Sequence, residues 1–538
     1  MWQQIYNPLG QPLLSALVAA LPMVFFLLAL TVFRLKALTA AVMTLGLSLI
    51  MALWLFGMPL HKAVMAALYG MANGLWPIGY IVLMAVWLYR IAVKSGKFEI
   101  IRGSIATISE DQRIQVLLIA FCFGGFLEGA AGFGVPIAIC AALLVELGFK
   151  PIRAAMLCLV SNAAAGAYGA IGIPIIVGAQ QGGVTTGALA PMLIAILQLS
   201  TLFIPALLVM ILDGWRGLKQ TWPVVTLVGV LFSGSQALVL YLLGPELVDI
   251  VPPLLSMAAL ALFMRLWRPT HVYREPGAPP VSARRWPLTA VLLAWSPFYI
   301  LTAIIMVWSL PAFRALFAAG GALAVTVIQW PMPGLHLQVQ ELPPIASAAH
   351  SLAALWRIEL VGASGTAILL AVIVTTLTSK TLSLRQSAGQ LLTVTRELWK
   401  PLATICLVMS VAYVANFSGT SSTLGLALAE AGRAFPLISP VIGWLGVFIT
   451  GSVVNNNVLF AHLQAVTAGQ IGASQPLLVA ANTSGGGMAK VVSPQSIAIA
   501  AGAVGLVGQE SDIMRATLRY SLALLAYACL WTFVLSLM

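Results

Sequence analysis

The chain has 538 residues, of which 61% are hydrophobic and 8% charged, with a mean hydropathy of +1.01. A soluble domain carries roughly 25% charged residues, so these values exclude a soluble enzyme or a string of soluble modules. The net charge of +12 comes without the aromatic interleaving of a nucleic-acid-binding face, and its Lys and Arg residues serve instead as markers of membrane orientation.

In chain order, the stretch before residue 13 contains no Lys or Arg. The apolar run after it is too long for a signal core, so no cleavable leader is expected. Runs 13–33, 37–57, 70–89, 221–243, 287–309, 361–379 and 516–537 are each long enough to cross ~30 Å of hydrocarbon. With the interrupted segments between them, roughly 12 to 14 transmembrane or re-entrant pieces are expected. The fold class is an all-α polytopic membrane protein.

The basic residues fall in short loops: Arg34 and Lys36; Arg90, Lys94, Lys97, Arg102 and Arg113; Arg216 and Lys219; Arg265, Arg268, Arg274, Arg284 and Arg285; Lys380, Arg385, Arg396 and Lys400. All of these are cytoplasmic if the N-terminus faces out, which puts the poorly charged stretch Leu310–His350 outside.

Two stretches interrupt the apolar pattern in the same way. Ser161–Pro174 (SNAAAGAYGAIGIP) and Ala481–Pro494 (ANTSGGGMAKVVSP) each reach a Pro twelve positions after an Asn. Each follows another interruption, Gly124–Pro136 (GGFLEGAAGFGVP) or Gly451–Val458 (GSVVNNNV). Helix breakers in matching positions of two halves mark the midplane site of a secondary transporter, because non-helical backbone at that depth survives only beside protein or a water-filled cavity. Gly129, Gly132, Gly134, Pro136, Pro174 and Pro494 are the expected break residues. The expected division is 1–113 as N-terminal spans, 114–220 as a first broken-helix unit, 221–400 as central spans with basic loops, and 401–538 as a second broken-helix unit with a last span.

Intramembrane charge guides the search for a site. Glu128 sits mid-segment beside a glycine-rich break and reads either as a proton-binding carboxyl or as a cap on a broken helix's N-terminus. Glu359 reads as a second titrating group or as a surface partner of Arg357. Lys490, inside the second break, reads as a lone ammonium seeking a substrate carboxylate, against an internally paired or snorkelling Lys. Asn162, Asn482, Ser484, Ser493 and Gln495 are candidate hydrogen-bonding groups, with Asn456 and Asn457 from the Asn455–Asn457 cluster; the same residue types also cap helices.

Cys122, Cys140, Cys158, Cys406 and Cys529 lack CxxC pairing and read as packing residues. His61, His271, His336, His350 and His462 are scattered, so no metal and no cofactor is expected. No nucleotide-binding or nucleophile motif stands in a workable context, so the chain is not expected to be an enzyme.

The motifs FLEGAAGFGVPIAI (126–139), GFKPIRAAMLCLVSNAAAGAYGAIGIPI (148–175), DGWRG (213–217), GASGTAILL (362–370), NFSGTSSTLGLALA (416–429), SPVIGWLGVFITGS (439–452) and VAANTSGGGMAKVVSPQSIAIAAGAVGLVGQESD (479–512) resemble those of the bacterial lactate permease family, which includes glycolate permeases. The resemblance runs almost end to end. It implies a symporter of small 2-hydroxymonocarboxylates in the bacterial cytoplasmic membrane, driven by protons and built from two inverted repeats. By position it carries over Glu128 with Gly129, Gly132 and Gly134, then Asn162 with the nearby Tyr168, and Asn482, Gly485, Gly486, Lys490, Ser493, Pro494 and Gln495.

The chain departs from the family pattern at several places. Val453 stands where the resemblance leads one to expect Asp, Ala165–Gly166 where Pro-Val is expected, and Ala489 where Gly is expected. Glu359 replaces an Asp, and Glu430 is an added acid. If the missing Asp held the coupled proton, the alternatives are coupling through Glu128 alone, weaker coupling, or another organic anion. If it only capped a helix, Asn455 is a replacement. A non-transporting sensor or assembly subunit is a further alternative, which would not need the paired interruptions. Oligomeric state is not legible.

Overall fold

Long runs of Leu, Ala, Val and Ile can satisfy every backbone polar group only by closing hydrogen bonds within the segment, and the chain accordingly folds as helices. The computed structural model describes residues 1–132, 134–278, 286–346, 348–379 and 381–538; Arg284, Arg285 and Lys380 lie outside the described residues. Among these, nine helices are long and apolar enough to cross a membrane, and a bent pair, Leu288–Ala294 with Ser296–Ser309, makes a tenth. Val135–Glu146, Pro151–Ser161, Ala170–Gly182 and Ser364–Thr378 are shorter apolar helices. The protein is an all-α, multi-pass membrane protein.

The longest helical segment, Thr186–Leu242, runs for 57 residues, far beyond what ~30 Å of hydrocarbon requires at 1.5 Å per residue. It folds back at Gly214, whose φ of 64° and ψ of −159° belong to a region open only to glycine. Two spans therefore follow one another without a loop.

Two faces are defined by what is tied to each end of the helices. At one end Lys62 donates to the Gly334 carbonyl (2.9 Å) and Gln4 donates to the carbonyls of Asn416 and Phe417 (2.8 and 3.0 Å). At the other end of the same helices Arg90 pairs with Glu397. The first face carries five short strands that the all-α expectation did not include. Trp2–Gln3 pairs in parallel with Val339–Glu341, which pairs antiparallel with His350–Ser351, and Val327–Pro331 pairs antiparallel with Leu355–Glu359. Pro331, Pro333, Pro343 and Pro344 deny this stretch a helix, and water outside the bilayer lets short open-edged strands persist.

The second face gathers the basic loops. Arg153 pairs with Glu275 at 2.7 Å, and Arg102 with Glu99 at 3.2 Å. Arg113, grouped with the loop charges in the sequence, is fully buried. Its guanidinium donates to Asp111 (2.6 and 3.0 Å), Asp213 (2.9 Å), Gln220 (2.7 Å) and the His271 carbonyl (2.6 Å). One side chain thus ties the start of the Gln112–Ala130 helix to the Gly214 bend and to the 271–275 loop. Removing one partner of a buried pair leaves the other charge uncompensated, at a cost of about 3–5 kcal/mol. Arg113→Ala is expected to lower the thermal unfolding temperature in detergent substantially; an unchanged unfolding temperature would remove this role.

Candidate functional site

The two paired interruptions meet in space, as short breaks after Ala130, Thr450 and Ala489 and as a longer run of turns over residues 162–172. In the first half the Gln112–Ala130 helix ends just past Glu128, and Val135–Glu146 starts from Gly134, which has φ +84°. Pro151–Ser161 ends on Asn162, and Ile173–Gly182 starts after Gly172, with φ +67°. In the second half Val453–Ile471 starts from Ser452, while Gln475–Ala489 ends on Lys490 and Pro494–Val504 starts from Ser493. The prolines 136, 174 and 494 occupy the first two positions of their helices, where a missing N–H costs nothing. They begin half-helices and do not break continuous ones. Gly129 lies inside its helix, where a Cβ would sit 2.8 Å from that of Asp249; Gly132, with φ +58°, lies in the break.

Glu128 and Lys490 face each other across this meeting point. Lys490 Nζ donates to Glu128 Oε1 at 2.5 Å, with side chains 13% and 2% exposed respectively. Two expectations are corrected here. Lys490 is not a lone ammonium, because Glu128 neutralises it. Glu128 caps no N-terminus: it lies in the last turn of its helix, where the helix dipole opposes a carboxylate and the ammonium offsets it. Two polar atoms beside the pair have no partner, Glu128 Oε2 and Asn162 Nδ2. Gly166 makes room for the lysine, since a Cβ there would lie 2.9 Å from Lys490 Cδ.

The pair stands in the wall of a cavity of about 470 Å³ whose polar lining includes Asn162, Ser452, Asn455, Gln495 and Ser496 and whose rim includes Lys36 and Lys400. Both lysines are exposed, so the cavity opens on the face that carries the basic loops. Ile78, Ile137, Ile173, Val453, Val454 and Ile499 supply an apolar wall. The starts of four helices, at residues 135, 173, 453 and 494, border this space and present the positive ends of their dipoles to it. A part-buried ammonium, an unpartnered amide donor and helix N-termini around one apolar-walled chamber are groups whose chemistry suits a small organic anion.

A second cavity, of about 890 Å³, lies on the strand-bearing face, between Trp76, Pro77, Gln180, Glu246, Arg314 and Glu359. Pro77 lines one chamber and Ile78 the other. The wall between the two is therefore thin, and it is sealed where the Ala170–Gly172 turn packs on Pro245–Leu247: a Cβ on Gly172 would lie 2.4 Å from the Pro245 carbonyl oxygen.

Several expected site residues serve packing instead. Asn482, Ser484, Gly485 and Gly486 lie within the continuous helix Gln475–Ala489 and do not line this cavity. A Cβ on Gly485 would lie 2.0 Å from the Pro440 carbonyl oxygen, and one on Gly443 2.0 Å from that of Asn482. The glycines are there for close helix contact. Asn482 donates to Asn457 (2.9 Å), and Asn457 donates to the Pro174 carbonyl (2.8 Å). Asn456 donates to the Asn482 carbonyl (3.4 Å), so of the three asparagines only Asn455 lines the cavity. Ser493 caps its half-helix and donates to Ser496 Oγ at 2.8 Å. Tyr168 is buried, its hydroxyl accepting from Gln198 at 2.9 Å. Glu359 lies in the other cavity, paired with Arg357 at 2.7 Å. Ser452, not Asn455, caps Val453–Ile471: its Oγ accepts from the Asn455 N–H at 3.2 Å, which leaves Val453 as the first helical residue. Sequence reasoning missed Asp249, which is 2% exposed and held by Gln236 at 2.9 Å; its place in the apolar run LVDIVPP was the available signal.

Comparison with known proteins shows the family. The family model described as L-lactate permease matches residues 15–538. The chain is 46% identical over 541 residues to the L-lactate permease of Halalkalibacterium halodurans, covering all of both chains. It is 47% identical over 530 residues to the L-lactate permease of Escherichia coli K12, covering 97% of this chain and 96% of that one. It is 44% identical over 535 residues to the glycolate permease GlcA of the same organism, covering 97% and 95%. These relatives are permeases and not enzymes. The chain belongs to the L-lactate permease family.

Proposed function

We propose that the protein carries small 2-hydroxymonocarboxylates, lactate and glycolate, across the bacterial cytoplasmic membrane together with a proton. The observation that carries this reading is the buried Glu128–Lys490 pair at the cavity wall, with Glu128 Oε2 and Asn162 Nδ2 left unpartnered beside it. The names of the curated relatives support the substrate class.

Coupling follows from charge balance. Empty, the site holds one carboxylate and one ammonium and is neutral. A proton on Glu128 releases Lys490, whose ammonium then takes the substrate carboxylate while Asn162 donates to it or to the 2-hydroxyl. Loaded with both, the site is again neutral. Loaded with the proton alone it carries one positive charge, and with the anion alone one negative charge. Either costs several kcal/mol at low dielectric, so the occlusion that precedes a change of access is open to the empty and the doubly loaded carrier. One proton per anion follows, and no carboxylate at position 453 is needed.

By the positive-inside rule the basic face is cytoplasmic and the N-terminus lies outside. The cavity at Lys36 and Lys400 is then the inward-facing access path, and the wall at Trp76–Ile78 and Ala170–Gly172 the closed outer gate. Val453 and Val454 favour a second reading, in which a bulkier apolar 2-hydroxy acid is the better substrate; competition of labelled lactate uptake by a chain-length series separates the two.

Purified protein in liposomes is expected to accumulate L-lactate under an inward proton gradient, with accumulation abolished by a protonophore. A membrane potential imposed without a pH gradient is expected to drive none, and potential-driven accumulation would refute one-to-one coupling. Glu128→Gln is expected to abolish gradient-driven accumulation while lactate exchange persists; unimpaired accumulation would remove Glu128 from the coupling. Lys490→Ala is expected to weaken anion binding about 30-fold, the equivalent of ~2 kcal/mol for a charge-assisted hydrogen bond. Wild-type affinity in a binding titration would sink its role.

A further inference from the structure

Among the described residues, three carboxyl groups keep one oxygen buried without any hydrogen-bond partner: Glu246 Oε2, Asp249 Oδ2 and Glu128 Oε2. They do not lie at random. Glu246 is in the wall of the larger cavity on the strand-bearing face, where its other oxygen accepts from Ser364 at 3.2 Å and Arg314 stands at 3.7 Å. Asp249 follows three residues later, near one helical turn's spacing. It is 2% exposed, no cation is paired with it, and its Oδ1 accepts from Gln236 at 2.9 Å. Gly129, the neighbour of Glu128, packs directly on Asp249. Glu128 then faces the smaller cavity.

The row thus spans the wall between the two cavities, from one chamber to the other. Behind it, Gln198 donates to both Tyr168 (2.9 Å) and Gln236 (3.2 Å), which fixes the Gln236 amide and so the orientation of the Asp249 carboxyl. A buried carboxyl oxygen left without a partner is expensive unless it has a use, and packing has no need of three in succession.

We propose that Glu246, Asp249 and Glu128 form a proton path from the larger cavity to the Lys490 pair, with Asp249 as its intermediate station. The proposal rests on the proton-coupled reading above. In each step a proton leaves the neutral carboxyl of Asp249 for the Glu128 carboxylate, and Asp249 takes its next proton from Glu246, which is replenished from solvent in the larger cavity. No hydrogen bond joins two of the three carboxyls in this conformation. Gly129 against Asp249 and Gly172 against Pro245 hold the 244–250 turn in place, so the stations stay separate until that packing shifts. This keeps the path from leaking protons while the smaller cavity is open.

The test is Asp249→Asn and, separately, Glu246→Gln in reconstituted protein, each compared with wild type that accumulates L-lactate under an inward proton gradient. Each variant is expected to lower gradient-driven uptake, relative to lactate exchange in the same vesicles, by about 100-fold, the low end of what a positioned proton-transfer group contributes. The dependence of initial uptake on external pH is expected to flatten as well. A wild-type ratio and pH profile in both variants would overturn the path and leave the role of Glu128 standing. If Asp249→Asn yields no folded protein, Glu246→Gln at the cavity wall decides alone, and a wild-type ratio there overturns the proposal. If wild-type protein ignores the proton gradient while Lys490→Ala still loses lactate binding, the coupled reading itself fails, a result distinct from failure of the path.

Discussion

A single ammonium and a single carboxylate, 362 positions apart in the chain, neutralise each other at the point where the two broken-helix units meet. At low dielectric an isolated charge of either sign is costly, and breaking such a pair without replacement costs about 3–5 kcal/mol. The rest of the site follows from that constraint. The helix ends must leave both side chains in reach of one another, the wall must keep the pair out of the lipid, and any anion drawn to Lys490 must displace Glu128 with the charge made good. The same pair links the two halves of the chain, and on the proposed reading it sets what charge may enter the site.

Helix ends solve a second problem at the same depth. Every interrupted helix exposes backbone donors or acceptors that lipid cannot satisfy. Here the N-terminal donors at residues 135, 173, 453 and 494 border a polar-lined chamber, while Ser452 and Ser493 cap two of the four. Lys490 closes the C-terminal end of Gln475–Ala489, where the dipole favours a cation. Its position is therefore supported twice, by the field of its own helix and by Glu128.

The sequence made the gross plan legible because its signals are categorical: apolar runs of span length, prolines at the starts of half-helices, and one Glu and one Lys in otherwise uncharged segments. It was less informative where a residue type has two uses. Glycines 485–487 read as a break, yet close contact with Pro440 and Ala167 makes them a packing surface within a helix, and tertiary contact overrides their low helix propensity. Asn456, Asn457 and Asn482 read as pocket lining, yet each satisfies another buried polar group, which a linear pattern cannot reveal. Arg113 reads as one more loop charge because, apart from Asp111, the partners that bury it lie about 100 residues and more away in sequence. Asp249 carries a signal in its apolar run LVDIVPP, but that signal does not place it beneath Gly129, which depends on how the 244–250 turn packs.

The departure at position 453 shows how local capping and pocket chemistry separate once the geometry is known. A side chain lost from an N-cap must be replaced by another acceptor or the first turn frays. Ser452 already provides that acceptor, so the substitution leaves the helix start intact and acts only on the chamber, where Val453 presents methyl groups. Gly166, the other departure that touches the chamber, removes bulk beside Lys490. Against the pattern the resemblance leads one to expect, Val453 puts an apolar side chain where a charge would stand and Gly166 leaves space at the ammonium, beside an intact Glu128–Lys490 pair. On the proposed reading, the two positions therefore bear on which anion fits, and charge balance at the pair, which neither alters, bears on whether a proton must accompany it.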